Sequence, residues 1–124
     1  MWLLTVFLSC GDKEEETEVA TFAALETDVF GLSCAFSSCH GASAGAGGLV
    51  LTGTNDHQRL VEINSTVLTD EILVIPFDPD NSYLIKKVLG QDGIAGEIMS
   101  PGTGISEHQL SLLTSWINAG AEDN

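Results

Sequence analysis

Two thiols and an imidazole fall within one short stretch, Cys34-Ala35-Phe36-Ser37-Ser38-Cys39-His40, in a chain of 124 residues that holds three cysteines in all. A chain of this length has room for one domain, so whatever occupies these three side chains sets much of what the rest can be. In an oxidising compartment a pair of unoccupied cysteines tends to close into a disulfide. That is the plain reading of Cys34 and Cys39, against which any other use has to be weighed.

The compartment is read from the N-terminus. Residues 1–9, "MWLLTVFLS", are almost wholly apolar and give way at Cys10-Gly11 to the charged run "DKEEETE". An apolar run this short does not span a bilayer as a helix, and it reads as the hydrophobic part of an export signal. Phe7-Leu8-Ser9-Cys10 resembles a bacterial lipobox, although no Lys or Arg precedes the apolar run. The expected organisation is a lipoprotein-type signal peptide over 1–9, lipid on Cys10, an acidic tether over 10–20 and a folded domain over 21–124. The chain would then be an exported bacterial lipoprotein, held to the membrane by its N-terminal lipid and facing the periplasm or the cell surface. With Cys10 lipidated, Cys34 and Cys39 are left as a pair.

Eighteen acidic residues against four Lys and Arg give a formal net charge of −14. Such a field repels nucleic acid and anionic lipid, so binding to a phosphate backbone is excluded. A protein partner with a basic docking patch is compatible with it.

Along the domain, Phe22, Leu25, Val29 and Leu32 recur at helical spacing. They predict an amphipathic helix over 21–33 that ends near Gly31 and delivers the chain to Cys34. The Gly/Ala-rich stretch after His40 reads as a loop lying close against something flat or bulky, followed by extended chain over 49–51. It lacks the Lys-Ser/Thr of a phosphate-binding loop. Asn55 or Asp56 is placed to cap a short helix carrying Leu60, Val61 and Ile63. The β-branched, proline-broken stretch 65–80 reads as extended chain or a short hairpin. Asp80 or Asn81 is placed to cap a helix with Tyr83, Leu84, Val88 and Leu89 on its apolar side, stopped by Gly90. Ser106 and Gln109 have capping-box spacing at the head of a last helix. Its stripe is Leu110, Leu113, Trp116 and Ile117, and Gly120 ends it. The expected fold class is mostly α, a small helical domain with long Gly/Pro-rich loops. A domain this small is near the lower limit for a self-sufficient core, and a covalent cofactor would help it.

Cys39-His40 is also the close of the C-x-x-C-H pattern through which haem is attached covalently. There two thiols reach two vinyl groups, and the imidazole beside the second swings under the iron. Here four residues separate the cysteines, so two extra residues must bulge between the bonds. About sixty residues downstream lies Met99, in the loop "QDGIAGEIMSPGTGI". A methionine in a core is usually gap filler, whereas one in a Gly/Pro loop is placed to offer its thioether to a metal. His plus Met ligation gives a low-spin, electron-transferring iron with a raised potential.

Other uses of these residue types are weaker. His57 and His108 stand at predicted helix starts among polar neighbours and read as exposed and unpaired. Asp78, Asp80 and Ser82 open like a calcium loop, but Tyr83 stands where Gly is required and Leu89 where a carboxylate is required. Structural zinc needs a second pair of Cys or His ligands. Adjacent Cys and His seldom orient as nucleophile and base.

From about Val29 to Ala121 the chain resembles the cytochrome c-like domains of the planctomycete type, found in exported bacterial proteins. The matching pieces are "CHG" at 39–41, "GGLVL" at 47–51, "DPDNSYLIKKVLG" at 78–90, "IMSPG" at 98–102 and "LLTSWINAGA" at 112–121. The departures are the stretched cysteine spacing and Ser100 between Met99 and Pro101. The resemblance implies a cytochrome c-like helical domain whose C-terminal helix packs across the N-terminal one. It implies a single haem c, with Cys34 and Cys39 in the thioether bonds, His40 as proximal and Met99 as distal ligand to iron. The implied function is one-electron transfer to a redox protein partner, without enzymatic turnover. The alternative is a haem-free cell-envelope interaction module that keeps the fold with a Cys34–Cys39 disulfide. A third reading, a haem protein with an open iron site, would dispense with Met99.

Overall fold

The computed structural model describes residues 19–35, 39–41, 45–53, 55–99 and 104–124. The expected signal peptide, Cys10 and the expected tether as far as residue 18 lie outside the described residues, as do positions 100–103 behind Met99. The domain is mostly helical, and among the described residues there is no strand, only two isolated bridges, Val61 with Val74 and Asn64 with Ile72. The short helix α1 (Phe22–Leu25) runs directly into a π-helical stretch, Glu26–Cys34; α2 is Asp56–Leu60, α3 Tyr83–Leu89 and α4 Glu107–Asn118. No helix among the described residues is long and apolar enough to cross a membrane.

The first helix starts where the spacing placed it, but it does not stop near Gly31. It continues to Cys34, and its turns are wider than α. In a π-helix the carbonyl of residue i bonds to the N–H of i+5, as Phe30 does to Ala35 at 2.7 Å. Residues five apart then stack on one face. Leu25 and Phe30 are buried in that way, and so are Val29 and Cys34. Leu32, which α spacing would place inside, is 63% exposed.

The opening of α1 is sealed by the other end of the chain. Four N–H groups at a helix start have no partner within the helix. Here Phe22 N–H donates to the Asn124 side-chain oxygen at 3.0 Å, and Ala23 N–H to the Asn124 carbonyl. Ala24 N–H donates to Thr21 Oγ1 and Leu25 N–H to the Thr21 carbonyl.

Helix α4 lies against this N-terminal pair of segments. Ser106 and Gln109 form the expected capping box at its head. The same Gln109 amide reaches the π segment, donating to the Asp28 carbonyl at 3.0 Å and to Ser33 Oγ at 2.8 Å. Leu113, Trp116 and Ile117 are buried as the stripe requires. The Trp116 ring packs on Phe22 with centroids 5.3 Å apart, and its Nε1 donates to the Glu122 carbonyl. Full burial of a large apolar side chain such as Phe22 is worth about 1.5–3 kcal/mol, so this crossing contributes substantially to the core.

Two capping expectations are corrected. The residue before α3 is Ser82, not Asp80 or Asn81. Asp78 instead closes a turn, accepting from the backbone and side-chain nitrogens of Asn81, while the Ser82 hydroxyl donates to the Asp78 carbonyl at 2.8 Å. At α2, Asn55 is left-handed and makes no side-chain cap. The Asp56 carboxylate ties down the preceding turn, accepting from Thr52 N–H and Gly53 N–H and from Arg59 Nη1. Gly90 ends α3 in the left-handed conformation, as expected of a helix C-terminus.

Candidate haem site

A cavity of about 370 Å3 opens between the π segment, the Gly-rich loop, α3 and the loop that follows it. That volume is within the range of small-molecule sites, about 300–1,000 Å3. Its walls are largely apolar, with Phe30, Leu49, Leu51, Leu60, Leu73 and Leu84 among them. Three of the residues singled out in the sequence border it: Cys34, His40 and Met99.

His40 is fixed through its backbone and its ring. Its N–H donates to the Cys34 carbonyl at 3.2 Å. Its own carbonyl accepts from Leu51 N–H at 2.6 Å. The ring is 5% exposed, and Nδ1 lies 2.9 Å from the Leu49 carbonyl. A carbonyl can only accept, so Nδ1 carries the hydrogen and the lone pair of the neutral ring sits on Nε2. Nε2 has no protein partner among the described residues, and no fully buried side-chain nitrogen among them is left unsatisfied. His40 itself borders the cavity. A second ring nitrogen held by a backbone carbonyl is the usual support of a metal-ligating histidine.

Cys34 ends the π segment at the cavity wall, 5% exposed, while Cys39 is half-buried beside it. Burial pushes the Cys34 thiol up to about 11, and the nearby Cys39 adds to the shift. At neutral pH Cys34 thus stays protonated, which suits neither a catalytic nucleophile nor a thiolate metal ligand. No disulfide joins the two cysteines in the structure. Among the described residues no three His, Cys, Asp or Glu side chains gather as a metal cluster.

Met99 is held by the end of α3. Its N–H donates to the Lys87 carbonyl at 3.0 Å. The neighbouring Ile98 fills the space above two left-handed glycines: a Cβ on Gly90 would come within 3.0 Å of Ile98 Cδ1, and one on Gly104 within 3.2 Å. The loop is pinned further back at Ala95, whose N–H donates to Tyr83 Oη at 3.0 Å and whose carbonyl accepts from Lys87 Nζ. Tyr83 and Lys87 also border the cavity; the sequence placed Tyr83 on the apolar side of this helix and assigned neither residue to a site. Their spacing on one face of α3 was visible, but nothing local said what that face would meet.

The two other histidines stand elsewhere. His108 is exposed in the first turn of α4. His57, expected to be exposed and unpaired, is half-buried, with Nε2 2.7 Å from the Ala121 carbonyl and its ring edge-on to Phe22 at 5.3 Å. It serves the core joint, and neither histidine borders the cavity.

No family model, no curated protein and no solved structure matches this chain.

Proposed function

We propose that the chain is a small c-type cytochrome, a one-electron carrier with a single covalent haem, and not an enzyme. The observation that carries this reading is the state of His40: a buried imidazole at an apolar cavity, its Nδ1 held by Leu49, its Nε2 without a partner among the described residues. The residues present fit the group. Cys34 and Cys39 would hold it through thioether bonds, His40 Nε2 would be the proximal ligand and Met99 the distal one. When bound, haem supplies an iron that changes charge by one electron. The chain's part is to hold the imidazole through its Nδ1, to line the macrocycle with apolar side chains that exclude water, and to bring a thioether on a clamped loop. The packing of α4 across the N-terminal segment agrees with the helix arrangement that the cytochrome resemblance implies.

The rest of the reading follows the sequence. The chain would be an exported bacterial lipoprotein, tethered by lipid on Cys10, at the periplasmic or cell surface. Its net charge of −14 suits a redox partner with a basic docking patch. Encounters of that kind are weak and salt-dependent.

The proximity of Cys39 to the Cys34 thiol keeps a second reading in play, a haem-free envelope module closed by a Cys34–Cys39 disulfide. One experiment separates the two: expression in a periplasm with c-type maturation enzymes, then a haem stain of the denatured chain and its intact mass. Haem that survives denaturation and adds its mass supports the cytochrome. A chain without haem, two hydrogen atoms lighter than its reduced form, sinks it and leaves the disulfide module.

A further inference from the structure

We propose that Tyr83 and Lys87 form a subsite for a carboxylate of the molecule that occupies the cavity. The inference rests on the haem reading, since iron protoporphyrin is a flat apolar ring that carries two carboxylates on one edge.

The charges of the chain first single out Lys87. Among the described residues Arg59 is paired with Asp56 at 2.9 Å and Lys86 with Glu71 at 3.0 Å. Lys87 has no carboxylate partner among them; its ammonium donates only to the Ala95 carbonyl. This cation is apart from the carboxylates of the described residues and half-buried at the wall of an apolar cavity.

Tyr83 completes the arrangement. It lies one helical turn before Lys87 on α3, so the two side chains project from one face. Their heads converge on a single residue: Ala95 N–H donates to Tyr83 Oη at 3.0 Å, and the carbonyl of the same Ala95 accepts from Lys87 Nζ. The donors are not used up by these contacts. An ammonium has three hydrogens and spends one here; the phenol accepts from Ala95, and its own hydrogen has no acceptor among the described residues. Two unspent donors, one of them charged, side by side at an apolar wall, match the two oxygens of a carboxylate. Partial burial strengthens such a charge-assisted pair relative to open water.

Ala95 itself gives the pair a second use. Because the same heads pin the loop that leads to Met99, a carboxylate bound there would couple occupancy of the cavity to the position of the thioether.

The test is a spectral titration of the full, haem-free chain with iron protoporphyrin IX and with its dimethyl ester, in one detergent. The ester keeps ring and iron and removes both negative charges. Wild type is expected to bind the free acid about tenfold or more tightly than the ester, as a charge-assisted hydrogen bond requires. In the double variant Lys87→Gln, Tyr83→Phe that preference should shrink to about twofold or less, with imidazole ligation by His40 still visible in the spectrum. Equal affinity of wild type for both compounds overturns the subsite and leaves the haem reading standing. So does a double variant that keeps the full preference. A wild-type chain that binds neither compound, and that also acquires no covalent haem during maturation, overturns both.

Discussion

The His40 imidazole bonds through Nδ1 to the carbonyl of Leu49 at 2.9 Å, across the Gly-rich loop between them. This one contact selects the tautomer, orients the ring and makes the loop after His40 part of the site.

Replacing His40 should therefore cost something with or without haem. His40→Ala removes a largely buried ring and leaves the Leu49 carbonyl without its donor, a loss of about 1–3 kcal/mol in the haem-free chain. Denaturant melts would read this. Stability alone then does not separate a cytochrome from a disulfide module; the visible spectrum does. In haem-loaded protein His40→Ala should abolish the low-spin spectrum, and an unchanged spectrum would remove His40 from the iron.

Gly31 gives a test of the π segment whose sign is diagnostic. In an α-helix interior Gly→Ala stabilises by roughly 0.5–1 kcal/mol. Here a Cβ on Gly31 would lie 2.7 Å from the Glu26 carbonyl oxygen, a backbone atom with little room to yield. Gly31→Ala is expected to destabilise by about 1–3 kcal/mol, as overpacking does, and to lower the melting temperature. A rise instead would mean that the helix is α in solution.

Much of the frame was legible because its signals are local. The Ser106–Gln109 box, the Gly90 stop and the Leu113–Trp116–Ile117 stripe each depend on residues within a turn or two of one another. Cys34, His40 and Met99 were nameable from residue type and setting, and all three border the one cavity. What escaped depends on contacts made across the fold. Phe30 is inside and Leu32 outside because the turn widened, which 3.6-residue periodicity does not announce. His57 is a core residue only because Ala121 comes back to it from the C-terminus. Tyr83 and Lys87 gained their place at the cavity when the 91–99 loop folded over α3.

The Met99 loop should be sensitive at Ile98. That side chain is half-buried and packs against Gly90 and Gly104, so truncation should cost about 1–2 kcal/mol, less than a fully buried isoleucine. In haem-loaded protein Ile98→Ala should keep covalent haem but raise the high-spin fraction as the thioether loses its fixed position. Met99→Ala should carry the same change to completion and lower the reduction potential. A Met99→Ala spectrum identical to wild type would move the distal ligand elsewhere or leave the iron site open.

The last prediction concerns pH and lies at the opposite end of the π segment. Glu26 is raised from its ordinary 4.5 to about 7, first by burial, then by a hydrogen bond to Asp56 and the charges of Asp56 and Asp123. The Asp56 side chain is fully buried and paired with Arg59, so the cation is already committed and does not relieve Glu26. Between about pH 4.5 and 7 the folded chain keeps a proton that the unfolded chain has released. Stability from this group is therefore complete below pH 4.5, falls as pH rises through the window and levels off above about 7. Glu26→Gln holds the neutral, hydrogen-bonding form at every pH. The variant should match wild type near the acid end, exceed it above neutrality and lose this part of the slope in denaturant midpoints measured across the window. If the variant keeps the wild-type slope, the proton resides on Asp56 or Asp123 instead, and the joint between α2 and the π segment is held by a different carboxyl.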